Sequence, residues 1–248
     1  MKTAWIFVAG IGSDMVGGYS NKFTSTISQH DQNSDYFVEF NWQKLLEPCE
    51  QNIFNKCGKN LKYKYLRQFM ASYASDALLY HYKSDIYKNI SQEFTNIFTD
   101  IFNKEYDTVN VVGHSLGSFI IANFIWDLTN KNPDGSEIFS LSEDISNQIK
   151  SSINSISYLA SPSSLWAGQF ISGGKNIDYS NLYNLKNVLN IYSQYDVIAW
   201  PQACLNDTFS NIKDININYG PIWAKYLPIS HIYVWSDSKI INTILEHV

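Results

Sequence analysis

Ser115 lies in Gly113-His114-Ser115-Leu116-Gly117, with a glycine two residues away on either side. A serine hydroxyl is a weak nucleophile at neutral pH. It becomes an effective one when an imidazole takes its proton and a carboxylate holds that imidazole in the right tautomer. Such a trio attacks acyl carbonyls, and backbone N–H groups take up the charge that develops on the carbonyl oxygen. Of the five histidines, His30 and His81 precede the serine, His114 adjoins it, and of the two that follow, His231 is preferred to His247, which is next to the C-terminus. Among the carboxylates, Asp196 closely follows a strong apolar run, whereas Asp178, Asp207 and Asp214 do not.

These residues need elements to carry them. Thr108 to Val112 is an apolar, β-branched run, and Phe119, Ile120, Ile121, Phe124, Ile125 and Leu128 recur with an amphipathic helical pattern beyond the motif. Strand, sharp turn and helix are the setting of a nucleophile elbow, whose two glycines are expected to let Ser115 take a strained backbone conformation. Upstream, Ala4 to Ala9 reads as a buried strand, Gly10-Ile11-Gly12 as a turn, Lys22 to His30 as a helix and Tyr36 to Phe40 as a second strand. Ile86 to Phe102 has a helical period. Downstream, strands are predicted at Ile153 to Ala160, Asn187 to Tyr192 and Ile215 to Tyr219, with a polar segment up to Ser152 and a closing helix over Asp237 to His247. The irregular region between them, around 43–75, is expected to be a small insertion or cap within a single domain spanning 1–248. It contains Pro48, Cys49, Cys57 and Gly58.

The Gly10-Ile11-Gly12 turn has Met15 where a dinucleotide fingerprint needs its third glycine, and it lacks the lysine of a P-loop. A backbone N–H here, that of Ile11, is the better candidate for half of an oxyanion hole, and Leu116 N–H for the other half. Trp166, Phe170, Tyr195, Trp200 and Trp235 are candidates to line an acyl or alcohol pocket, although packing explains each alone equally well.

Composition narrows the function classes. A net charge of -5 without a basic cluster argues against nucleic acid and anionic membrane surfaces as partners. The three cysteines, Cys49, Cys57 and Cys204, have no CxxC spacing or nearby histidine, so no metal is expected. No organic cofactor is required either. No apolar run approaches the roughly 20 residues that span a bilayer. The N-terminal apolar run is short and lacks an A-x-A site, so a buried strand and a cytoplasmic protein are expected rather than a signal peptide.

Gly113-His114-Ser115-Leu116-Gly117, Tyr192-Ser193-Gln194-Tyr195-Asp196 and Ser230-His231 together resemble the nucleophile, acid and base segments of the α/β-hydrolase superfamily, in its lipase/esterase branch. Val8-Ala9-Gly10-Ile11-Gly12 resembles that branch's His-Gly-x-Gly oxyanion loop, with Ala9 in place of the histidine; the donor is then Ile11 or Gly12. The resemblance implies an α/β-hydrolase fold: a mostly parallel central sheet with helices on both faces, lacking the first two strands. It implies cleavage of a carboxylic ester, small-molecule or lipid, by a Ser115–His231–Asp196 triad through an acyl-enzyme. An acyltransferase or thioesterase with the same triad, or a binding protein on a relict hydrolase fold, are the alternatives.

Overall fold

The structure, a computed structural model, describes residues 2–11, 18–31, 34–45, 80, 85–130, 141–165, 177, 179–205, 211–225 and 228–248. Its frame is a six-stranded sheet: β1 (Thr3–Val8), β2 (Ser34–Phe40), β3 (Thr108–His114), β4 (Ile153–Leu159), β5 (Asn187–Tyr192) and β6 (Ile212–Asn216). The strand order is β2-β1-β3-β4-β5-β6, and every neighbouring pair is parallel. Parallel strands need helical crossovers that cover both faces, which is why β1 is apolar on both sides. Ala4, Ile6 and Val8 pack on one face, and Trp5 and Phe7 on the other.

The first face is covered by α2 (Asp85–Asn103), α3 (Leu116–Thr129) and α4 (Glu143–Ser152), the second by α1 (Asn21–His30) and α5 (Ser238–Leu245). α2 turns Ile90, Phe94, Phe98 and Ile101 inward, and Phe94 stacks on Phe40 of β2 at 5.4 Å between ring centroids. Burying a phenylalanine of this kind stabilises the fold by about 1.5–3 kcal/mol.

Three expectations change. α3 is not amphipathic: Leu116 through Ile125, Asp127 and Leu128 are all buried, so the helix is surrounded by protein on nearly every side. Its buried Asp127 accepts a hydrogen bond from Tyr87 Oη of α2. The stretch before β4 is a helix, α4, started by Ser142, whose side chain accepts from Ile145 N–H at 3.4 Å. The last strand is Ile212–Asn216, so Tyr219 lies beyond its end. Most of the 43–75 region, with Cys49 and Cys57, lies outside the described residues. Cys204 is free and exposed. Among the described residues, no helix is long and apolar enough to cross a membrane, and no cluster of His, Cys, Asp and Glu is arranged to hold a metal.

Candidate active site

The sheet's strand order reverses between β1 and β3: the chain moves outward from β1 to β2, then returns to β3 and continues the other way. In open parallel sheets, the crevice beyond the C-terminal strand ends at such a reversal is where ligands bind. Val8 pairs with Gly113 across it, so Gly10 and Ile11 leave β1 beside the point where Ser115 leaves β3.

Ser115 occupies the turn between β3 and α3 with φ 52° and ψ −125°, a left-handed conformation that costs a non-glycine residue on the order of 1–3 kcal/mol. The strain sits on the serine itself. Neither flanking glycine has positive φ; each supplies clearance. A Cβ on Gly113 would come within 2.4 Å of Ile121 Cδ1, and one on Gly117 within 2.4 Å of the Ala9 carbonyl oxygen and 2.5 Å of that of Val8. The glycines thus let the start of α3 press onto β3 and the end of β1. Ser115 N–H is held by Leu159 O of β4 at 2.9 Å. The Ser115 carbonyl accepts from Ser118 N–H at 3.0 Å and Ser118 Oγ at 2.5 Å. Ser118 Oγ lies 2.7 Å from Ser161 Oγ, itself 2.8 Å from Ser163 Oγ. With one proton per hydroxyl, donation to the carbonyl leaves Ser118 Oγ as the acceptor from Ser161. The second strained residue nearby, Ala160 with φ 50°, is pinned by its N–H to Ile191 O at 2.9 Å.

Asp196 and His231 come together at the same edge. His231 Nδ1 lies 2.8 Å from Asp196 Oδ2, and both side chains are buried. A carboxylate only accepts, so Nδ1 carries the proton and Nε2 presents its lone pair in the neutral ring. Asp196 Oδ1 accepts from Ile198 N–H at 3.0 Å and Ala199 N–H at 3.4 Å, and Oδ2 also accepts from Tyr219 Oη at 2.5 Å. Burial pushes the Asp196 carboxyl up, but the His231 hydrogen bond and charge, with the Tyr219 and Ile198 hydrogen bonds, outweigh it and hold the group below the usual carboxylate range.

His114 reaches across to the segment that carries His231. Its Nε2–H donates to the His231 carbonyl at 3.1 Å, and the two imidazoles lie 4.8 Å apart. Burial, then the neighbouring His231, lower its pKa to about 3 against the smaller opposing pull of Asp196, so His114 is neutral at any working pH. Ser115 Oγ, Ser230 Oγ and His114 Nδ1 are buried and make no hydrogen bond with the described residues. Gly10 closes the site from β1: a Cβ there would lie 2.6 Å from His114 Nδ1 and 2.8 Å from Ser115 Cβ.

A strained serine at the strand–helix turn of an all-parallel sheet, beside the reversal of strand order, decides the architecture. The fold is that of an α/β-hydrolase. Similar courses of the chain occur in an acetyl xylan esterase (12% identity, TM-score 0.43, covering 99% of this chain and 97% of that one), in a predicted CIB-like hydrolase from Thermoplasma acidophilum (10%, 0.42, 99% and 86%) and in esterase B from Lactobacillus Rhamnosis (14%, 0.43, 99% and 73%). At these identities and scores the named activities remain those of the other proteins, and the fold rests on its own sheet order and elbow. No family model matches the sequence, and no curated protein matches it.

The remaining candidates are dispersed. Leu116 is the first residue of α3, so its N–H has no intrahelical acceptor; Ile11 is buried beside Gly10. The Ala9 position before them is fixed by its N–H to Phe40 O at 3.1 Å and by Trp42 Nε1–H donating to its carbonyl at 2.7 Å. Trp235 is buried in an aromatic group with Phe7, Phe23, Tyr19 and the His114 ring. Trp200 is exposed, and Tyr195 is partly buried in the turn before Asp196. Trp166, Phe170, Gly12, Asp178, Asp207 and His81 lie outside the described residues. Two rival groups have other partners. Asp214 accepts from Asn190 Nδ2 at 2.7 Å and from the N–H groups of Gln202 and Ala203. His247 meets Lys213 Nζ at 2.9 Å and the Thr243 carbonyl at 2.8 Å, at the opposite edge of the sheet. Sequence reasoning missed Tyr219; the only signal was its place before the Gly220-Pro221 turn that follows the last strand.

Proposed function

We propose that the protein is a serine hydrolase that cleaves carboxylic esters of small-molecule or lipid type through an acyl-enzyme. Ser115 Oγ attacks the acyl carbonyl while His231 Nε2 takes its proton, and the resulting imidazolium is stabilised by Asp196 through Nδ1–H. The N–H groups of Leu116 and Ile11 donate to the tetrahedral oxyanion, where one such donor is worth on the order of 10²- to 10³-fold in rate. Collapse of the intermediate breaks the ester C–O bond. The leaving alkoxide takes the proton back from His231. Water then attacks the acyl-enzyme, giving its proton to His231, and Ser115 leaves as the free hydroxyl with the carboxylic acid as product.

The observation that carries this reading is the buried, strained Ser115, its hydroxyl without a hydrogen bond among the described residues, on the same edge as a buried imidazole–carboxylate pair at 2.8 Å that its neighbour His114 contacts. A fluorophosphonate tests it directly. Labelling of the wild type that disappears in Ser115→Ala is the expected result, with burst release of nitrophenol from nitrophenyl esters. A folded wild type that is not labelled overturns it. Esters of rising acyl length then rank the substrates.

A further inference from the structure

Tyr219 is buried three residues past the end of β6, where the chain still follows its neighbour: Ile217 N–H donates to Tyr192 O of β5 at 2.8 Å. One residue later the backbone turns at Gly220, with φ 96°, and Gly220 N–H is held by Asp237 Oδ2 at 2.9 Å, the same carboxylate that caps α5. The backbone that carries the phenol is therefore held on both sides, by the sheet and by the start of a helix. Its Oη lies 2.5 Å from Asp196 Oδ2, the oxygen that also takes the His231 Nδ1–H at 2.8 Å. A carboxylate cannot donate, so the phenol does.

We propose that Tyr219 is a positioning residue of the catalytic pair: by donating to the oxygen that holds the His231 proton, it fixes the carboxylate's orientation and weakens its pull on that proton. The proposal rests on the hydrolase reading above. Two donors share one oxygen, and each draws on the same electron density. The other groups that face Asp196 are its backbone donors Ile198 and Ala199 and the imidazole of His114, which is neutral and hydrogen-bonded elsewhere. Burial, and then the Asp196 charge, push the Tyr219 phenol far up, so it stays a donor throughout the working range.

The sign follows. In Tyr219→Phe, Asp196 Oδ2 keeps only the His231 bond, the carboxylate becomes more basic, and the imidazolium is stabilised to higher pH. The acidic limb of kcat/KM should therefore move up by about half to one pH unit, with the alkaline plateau largely retained. An unmoved limb overturns the proposal, whether the plateau is kept or has dropped, since a merely structural role lowers the rate at every pH alike. The low-field Nδ1–H proton resonance of His231 gives a readout that needs no turnover: its titration midpoint should rise in Tyr219→Phe by the same amount, and an unchanged midpoint also overturns the proposal. Fluorophosphonate labelling of the wild type separates this outcome from a failure of the hydrolase reading, because the resonance reports on the pair even where no label is taken.

Discussion

At the N-terminal edge of the sheet a cleft of about 1050 Å³ opens among Thr3, Trp5, Asn110, Asn154 and Lys186, while the C-terminal edge carries Ser115, Asp196 and His231 in buried positions. Side chains that line this cleft pair with one another. Asn110 Oδ1 accepts from Asn154 Nδ2 at 2.9 Å and from Ser155 Oγ at 2.8 Å, and Asn184 Nδ2 donates to Ser151 O. At the other edge, Ser115 Oγ, Ser230 Oγ and His114 Nδ1 are buried without a partner among the described residues. Positive φ at non-glycine residues occurs at both edges, at Ser115 and Ala160 here and at Glu105 and Asn211 there. The two edges differ in unused hydrogen-bonding capacity, which costs stability that the fold would otherwise keep.

Substitutions at the two edges test the contrast, beginning with the largest expected effect. His231→Ala should lower ester turnover on the order of 10⁴-fold or more while leaving the far-ultraviolet circular dichroism unchanged. Turnover near the wild-type level would remove the C-terminal edge as the site. Gly117→Ala forces a methyl against two backbone carbonyls that cannot give way, and it should cost about 1–3 kcal/mol in urea unfolding and reduce turnover as well, since Ser115 and Gly10 are displaced together. Asn110→Ala is the control at the opposite edge. It leaves two buried donors without their acceptor and should cost about 1–2 kcal/mol of stability with turnover unchanged. A loss of turnover there that exceeds its loss of folded protein would blur the contrast.

The smallest effect concerns acid stability. The folded-state pKa of Asp196 lies below its ordinary value of 3.8, so its contribution is fully present above that value and is lost as pH falls through the folded pKa. Tm measured from pH 5 downward should therefore fall less steeply in Asp196→Asn than in the wild type. Parallel curves would mean that Asp196 is not stabilised as a carboxylate.

Much of the frame was legible in the chain itself, because periodicity reports burial. β5 lies at Asn187–Tyr192, as its apolar run predicts, and β1, β3, β4 and α2 fall within a residue or two of their predicted bounds. α4 was not legible, since Ile145 and Ile149 are its only large apolar residues and the rest of its surface is polar. β6 was misplaced because Ile215, Ile217 and Tyr219 continue the alternation beyond the strand's end, and alternation does not register where pairing stops. α3 looked amphipathic because Asn123 and Asp127 resemble a polar face; both are buried, and Tyr87 of another helix bonds Asp127.

Residue types, their order and the elbow pentapeptide single out Ser115, Asp196 and His231 as candidates in the linear chain, because chemistry depends on side-chain identity and local turns depend on neighbours in sequence. The clearance roles of Gly113 and Gly117, the His114–His231 contact and the Tyr219–Asp196 hydrogen bond were decided only in three dimensions. Each joins groups from different strands, and their distances are set by how parallel strands align at one edge of the sheet.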